Sequence, residues 1–315
     1  LSNLISVIIP VKNRIQLFIP ALDSVLNQRY PSIEVIVVDD GCNEKESEHL
    51  EQVISKARGR HSNIPIMMLK GNQQGAAKAR NLGYLNAKGK YIQFFDSDDI
   101  LLENKLSIQA GILDRQPELD MVYTKAQFVD DELNTINGSW GSALKGNSMD
   151  YFAFTWQTMC PLYRRETIDK FGLWDEELSI NQDWEFCLRY KLLGARTHFI
   201  NEVHAYFRKH TLGNIGNIGL DNGKVKSKWL STYKIFQLCK TKGVLDKPLL
   251  DAFIKRWAYI VCMTSKVGDK SLVKTQLQSI RPEISSSNFL MFSLLRYRLV
   301  ANLVLSVYSR YGVNK

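Results

Sequence analysis

The sequence predicts an α/β protein, with a mostly parallel sheet flanked by helices and a helical C-terminal extension. Three observations carry that expectation. Apolar, β-branched runs alternate with amphipathic stretches through the first hundred residues, the pattern of a parallel sheet with crossover helices. Three of those runs end in polar or acidic clusters, which a parallel sheet brings to one edge. Charge is also split along the chain, with 24 basic against 27 acidic residues over 1–220 and 17 against 5 over 221–315.

Ile5-Ser6-Val7-Ile8-Ile9-Pro10 is a buried-strand pattern closed by proline, followed by the loop Val11-Lys12-Asn13-Arg14. Leu22, Val25 and Leu26 fall at helical spacing before Pro31. Glu34 to Val38 predicts a second buried strand, and it runs into Asp39-Asp40-Gly41. Leu50, Val53, Ile54 and Ala57 give residues 44–58 one apolar helical face. Ile64 to Leu69 predicts a third strand, Gly75 to Gly83 opens a helix, and Tyr91 to Phe95 predicts a fourth strand.

That fourth strand delivers Asp96-Ser97-Asp98-Asp99 to its own C-terminal end. Carboxylates so close repel one another, and a site that keeps them ionised normally holds a hard divalent cation on oxygen ligands. The competing reading is that Asp98 or Asp99 merely caps a helix starting near Leu101. Likewise Asp39-Asp40-Gly41 alone reads as a turn, and Arg80 alone as a solvated helix face. Their shared placement at one sheet edge is the more specific signal.

Beyond the helix expected over Leu101 to Leu113, residues 121–123 and 126–129 look like strands, with a turn from Asp130 to Gly138. Residues 137–150, rich in Gly, Ser and Asn, predict a mobile loop of the kind that forms lids. Asn181 to Tyr190 predicts a helix ended by Gly194. A carboxylate in its first turn is stabilised by the helix dipole, so Asp183 is placed to act as a base, with Glu185 as its nearest rival. Residues 198–200 and 205–210 read as a strand and its exit, ending in His210, a candidate metal or phosphate ligand.

At 315 residues, with 45% hydrophobic and 23% charged content, the chain can bury a large core and a second, smaller one. Five cysteines without a C-x-x-C pair suggest neither a disulfide framework nor a thiolate zinc site, and fit a reducing cytoplasm. No secretory leader opens the sequence as given, which starts at Leu1. A Walker-type loop, a dinucleotide fingerprint and an H-E-x-x-H pair are all missing from the sequence. The basic tail, +12 over residues 221–315, suggests an anionic partner. Asn288 to Tyr308 is a long apolar stretch along which Arg298, Asn302 and Ser306, with Ser309 just beyond, form a polar stripe, so an interfacial helix is expected rather than a spanning one. The alternative is that these helices pack on the body or on a second subunit.

Six blocks occur in the order seen in family 2 glycosyltransferases of the GT-A fold. They are Ser6 to Pro10, Val37 to Gly41, Gly75 with Ala79-Arg80-Asn81, Asp96 to Asp99, Asp183 with Trp184-Glu185, and Phe207 to His210. Each is weak alone; six in register are strong, and the resemblance covers roughly residues 4–212.

The resemblance implies an inverting transfer of a sugar from a nucleotide-diphosphate donor, with a family lean towards UDP, to a hydroxyl acceptor. Pro10, Val11 and Asn13 would lie against base and ribose, Asp39 or Asp40 would read the base, and Arg80 would lie near the nucleotide. Asp98 would hold Mn²⁺ or Mg²⁺, with Asp96 on the ribose or on the metal's water. Asp183 matches the catalytic base, although Gln182 stands where the family usually carries an acidic residue. His210 matches a histidine that approaches metal or diphosphate. A catalytic domain over 1–212 follows, its nucleotide-sugar half 1–100 and acceptor half 101–212, with a basic helical region over 213–315. The expected partners are a saccharide or lipid-linked saccharide acceptor and, for the tail, an anionic membrane surface on the cytoplasmic side; nucleic acid is not expected. Two other classes compete: a sugar-nucleotide nucleotidyltransferase, disfavoured because Pro10 to Arg14 has no glycine, and a non-catalytic nucleotide-sugar-binding module, disfavoured by Asp183.

Overall fold

The four apolar runs of the first hundred residues form the parallel half of one sheet. The computed structural model describes residues 3–209 and 221–295. Strands β1 (Ile5–Val11), β2 (Ile33–Asp39), β3 (Ile66–Lys70) and β4 (Tyr91–Phe94) lie in the order β3-β2-β1-β4, all parallel. Every residue of β1 and β2 is buried, as the unbroken Val/Ile runs require of strands covered on both faces. The crossovers are α1 (Ile15–Leu26), α2 (Glu44–Arg60) and α3 (Ala76–Asn86). Helix α3 lies close against the sheet because Gly83 has no side chain: a Cβ there would stand 2.4 Å from Ile8 Cγ2.

Beyond β4 the sheet turns antiparallel. β8 (Pro161–Arg164) pairs with β4 and with β6 (Met121–Val129), β6 runs parallel to β9 (Thr197–Arg208), and the short β5 (Ile100–Leu101) closes the order on β9. β7 (Thr135–Trp140) adds to β6. At the switch of direction lies a buried polar knot. Lys105 Nζ donates to Gln93 Oε1 at 2.5 Å and Gln109 Oε1 at 2.6 Å. The Gln93 amide donates to the carbonyls of Phe94 and Met159, and that of Gln109 to those of Val122 and Cys160. Burial pushes the Lys105 ammonium down to about 7.

Several expectations need correction. The helix anticipated from Leu101 is α4 (Lys105–Arg115), starting after Asn104, whose side chain makes no capping bond, because Ile100 and Leu101 are taken by pairing with β9. Neither Asp98 nor Asp99 caps it. Residues 121–129 and 197–208 are continuous strands, not short pairs, since β6 and β9 support each other along their length. The loop expected over 137–150 is in part strand β7, and its end holds a 3-10 turn at Ser148–Tyr151. Helices α5 (Arg165–Phe171) and α6 (Gln182–Leu192) complete this half of the chain.

The described residues divide into two compact units, one of 3–145, 153–176 and 186–209, the other of 146–152, 177–185 and 221–295. The first holds the sheet and an aromatic cluster in which Trp174 and Phe186 stack at 4.2 Å. The second is helical: α7 (Asn222–Thr241), α8 (Lys247–Val267), α9 (Lys270–Ile280) and α10 (Ser286–Leu294). Asp221, Asp246 and Asp269 cap the first three through their carboxylates, which is why each helix starts where it does. Its centre is aromatic, with Phe236 against Trp257 at 4.7 Å and against Phe253 at 5.3 Å. Only the start of the long apolar stretch from Asn288 is described, as part of α10; Arg296, Arg298 and the polar stripe to Ser309 lie outside the described residues. No helix among the described residues is long and apolar enough to cross a membrane.

Candidate functional site

Parallel register sets the three polar clusters side by side. Val11 stands opposite Asp39 in β2, and Asp39 opposite Lys70 in β3. The Asp40 N–H donates to the Val11 carbonyl at 2.8 Å, and the Phe95 N–H to that of Ile8 at 3.0 Å. Pro10 and Val11 are buried, Val11 with no exposed surface. Asn13 and Arg14 both adopt left-handed backbone, φ 56° and 57°, a strained pair for non-glycine residues. The strain is held by the next loop, where the Asn13 side-chain carbonyl accepts the Asn43 N–H at 3.1 Å and its own N–H reaches Cys42 Sγ at 3.1 Å.

The paired carboxylates Asp39 and Asp40 divide their work. Asp39 Oδ1 accepts the N–H groups of Gly41 and Cys42, and its Oδ2 accepts the Ser47 hydroxyl. Burial alone would raise its pKa, yet those hydrogen bonds hold it below the usual value. Asp40 is raised by burial, against the opposing effects of the Gly75 N–H, 3.2 Å away, and the Lys12 charge. Gly75, at φ 94°, opens α3 in a conformation suited to glycine. A cleft of about 450 Å³ lies beside Asp39, lined also by Cys42, Ser47, Lys70, Gly71 and Gln73.

The acidic triplet separates into three environments. Asp96 Oδ1 takes an ion pair from Arg80 at 2.5 Å, while the Arg80 guanidinium lies over the Trp174 ring at 4.4 Å. Asp98 is more open, 3.9 Å from the Arg14 guanidinium. Asp99 is 1% exposed; its Oδ1 accepts the Arg208 N–H at 2.9 Å and its Oδ2 meets no donor among the described residues. Burial first, then the Asp98 and Asp96 charges, raise its pKa well above the ordinary value. The sequence pattern gave Asp99 no role beyond a candidate helix cap. The pairing of β5 with β9 accompanies its burial, and no residue pattern announced Arg14 as a neighbour of Asp98.

No three His, Cys, Asp or Glu side chains among the described residues converge as an all-protein metal cage would. Magnesium-type ions are commonly held by one or two carboxylates, with water and phosphate oxygens completing the shell. The open, hard-oxygen carboxylate of Asp98 fits that arrangement. His210 lies outside the described residues.

In the second unit, Asp183 stands in the first turn of α6 and its Oδ1 accepts the Trp184 N–H at 2.8 Å. Asp183 is half-buried, whereas Glu185 is 3% exposed. Gln182 turns back to donate to the Leu178 carbonyl at 2.6 Å.

Comparison with known proteins agrees with this architecture. The family description Glycosyl transferase family 2 matches residues 6–172. An uncharacterised glycosyltransferase of Rickettsia bellii is 34% identical over 174 residues, 55% of this chain and 24% of that protein. Glycosyltransferase GlyG of Streptococcus pneumoniae is 28% identical over 217 residues, 65% of this chain and 60% of its own length. The chain thus spans less than two thirds of these relatives. Among solved structures, S. aureus TarS 1–349 in complex with UDP-GlcNAc superposes with a TM-score of 0.64 at 19% identity, covering 98% of this chain and 92% of TarS 1–349. The mannosyltransferase PcManGT of Pyrobaculum calidifontis, in complex with GDP-Man and Mn²⁺, gives 0.52 at 14% identity over 98% of this chain and 82% of its own. With more than half its length matched and its sheet shared with these structures, the chain belongs to glycosyl transferase family 2 and has the GT-A fold.

Proposed function

We propose that this protein transfers a sugar from a nucleotide-diphosphate donor, UDP-linked, to a hydroxyl acceptor with inversion at the anomeric carbon, in cell-surface polysaccharide or glycolipid synthesis. The observation that carries the reading is the convergence of Asn13, Asp39, Asp40, Arg80, Asp96 and Asp98 at the ends of β1, β2 and β4 and the start of α3. The complexes of TarS with UDP-GlcNAc and of PcManGT with GDP-Man support a nucleotide-sugar donor.

The base and ribose lie along Pro10, Val11 and Asn13, and Asp40 reads the base, because both Asp39 oxygens are spent on their own loop. Arg80 fixes Asp96. Asp98, with Asp96 and His210, would hold Mn²⁺ or Mg²⁺, which would supply positive charge against that growing on a departing diphosphate. Asp183 takes the acceptor proton; its partial exposure, against the burial of Glu185, supports that choice. The catalytic part is residues 1–212, and the basic region beyond it rests on an anionic membrane surface, near a saccharide or lipid-linked acceptor.

Calorimetric titration with a UDP-sugar, in Mn²⁺ and in chelator, tests the reading. Wild type is expected to bind only with the metal, and Asp98→Ala is expected to lose that dependence together with most of its affinity. Equal affinity in all these conditions would overturn the metal assignment.

A further inference from the structure

The second unit carries a group of cations that the proposed reaction does not use. Lys224, Ser227, Lys228 and Ser231 fall at i, i+3, i+4 and i+7, so they share one face of α7. That face is fastened to the segment just before Asp183. Ser227 Oγ accepts the N–H groups of Ser179 and Ile180, both at 3.1 Å, and donates to the Ile180 carbonyl at 2.7 Å. Asn181 Nδ2 reaches Ser231 Oγ at 3.4 Å. From α8, Arg256 lays its guanidinium over the Trp184 ring at 4.0 Å, with Nε donating to Thr232 Oγ1 at 2.9 Å.

Among the described residues no carboxylate stands within ion-pair distance of Lys228 or Arg256. Of the acidic groups on the neighbouring elements, Asp183 accepts the Trp184 N–H, and Asp221 caps α7 and pairs with Lys224 at 3.9 Å. Lys228 is half-buried, and its pKa is lowered by burial first and then by the Arg256 and Lys224 charges. Burial also brings Arg256 down to about 10. Crowding like charges away from water is costly unless something anionic completes the site. The Lys228 ammonium and the two Arg256 Nη groups offer seven N–H donors with no protein acceptor among the described residues, a set suited to a tetrahedral oxyanion.

We propose that Lys224, Lys228 and Arg256 form a subsite for a phosphate or phosphodiester group of the acceptor, one residue from Asp183. The inference rests on the proposed function only for the word acceptor; the anion site stands on its own geometry. It narrows the substrate class to acceptors carrying phosphate close to the hydroxyl that reacts.

The test uses the full chain, with inorganic phosphate and glycerophosphoglycerol as probes, read through tryptophan emission, and with Trp184→Phe to assign the signal. Saturable binding is expected, weakened at least tenfold in Lys228→Gln and in Arg256→Gln, while UDP-sugar affinity stays at the wild-type level. Should Arg256→Gln fail to fold, Lys228→Gln decides alone, since among the described residues its ammonium makes no hydrogen bond or ion pair and only faces the Tyr259 ring at 6.0 Å. Asp98→Ala is expected to keep phosphate binding, which separates this site from the donor site: failure of the wild-type chain to bind a UDP-sugar sinks the proposed function and leaves the subsite intact. Phosphate binding that does not saturate, or that survives Lys228→Gln, overturns the subsite. So does binding confined to phosphatidylglycerol vesicles and missing for both soluble probes, because the cations would then meet a lipid headgroup.

Discussion

The two units place charge by opposite means. In the first, the acidic groups sit on strand ends whose register is fixed by buried Val and Ile on both faces, and each carboxylate is sorted by what the sheet puts beside it. In the second, cations sit on a helix face held to a loop largely through one serine hydroxyl. A sheet edge distributes its constraint over many backbone bonds, whereas a helix clipped to a loop concentrates it in a few side-chain atoms. Substitutions of similar size should therefore act globally in one unit and locally in the other.

The largest effect is expected where chemistry depends on a single side chain. Asp183→Asn should lower transfer by about 10²- to 10⁴-fold, the usual worth of a positioned general base, with UDP-sugar affinity unchanged. Retained transfer would move the base elsewhere. Next comes Gly83→Ala, whose added methyl meets Ile8 at 2.4 Å against the sheet. It should cost about 1–3 kcal/mol, seen as a lower urea midpoint for the whole first unit. Ser227→Ala removes the acceptor for two N–H groups and should cost about 1–2 kcal/mol. Hydrogen exchange should show that loss only at residues 179–181 and along α7, and exchange spreading into β1 or β2 would break the comparison.

A further effect is one of pH. Lys105 falls from its ordinary 10.5 to about 7 on folding, so between those values the unfolded chain holds the extra proton. Stability contributed by the neutral amine is full above 10.5, declines as pH falls towards 7, and levels off below. The slope is about 1.4 kcal/mol per pH unit. Because the buried cysteines also titrate on unfolding, the readout is the difference between wild type and Lys105→Met in urea unfolding across that range. A difference that does not change with pH would place the lysine charge in water.

The sequence was most readable where side-chain pattern and backbone geometry coincide. Ile5 to Pro10, Glu34 to Val38 and Tyr91 to Phe95 announce buried parallel strands, and their polar ends announce an edge site. Legibility fails where burial depends on distant partners. Thr135 to Trp140 is polar, holds Gly138 and lies on the outside of β6, so it lacks the alternation that marks a strand. Ile100-Leu101 is too short to stand out, yet its pairing accompanies the burial of Asp99. Nothing in residues 146–152 or 177–185 marks them as members of the helical unit, because that membership is made by α7 and α8 far along the chain. Arg256 over Trp184 was invisible for the same reason.

The knot of Gln93, Lys105 and Gln109 has a consequence for how the chain avoids misfolding. Strands made of Val and Ile can slide past one another by two residues and still bury equivalent surface, so apolar pattern alone specifies alignment poorly at the junction of the parallel and antiparallel halves. Buried amides do not forgive such a slide, since Gln93 would lose the Met159 carbonyl and Gln109 the carbonyls of Val122 and Cys160 in the dry interior. The penalty for misalignment is thus set by three polar residues rather than by the many apolar ones around them. Because Met159 and Cys160 supply two of the four carbonyls, the check is completed only after synthesis has passed residue 160, long after β4 has left the ribosome.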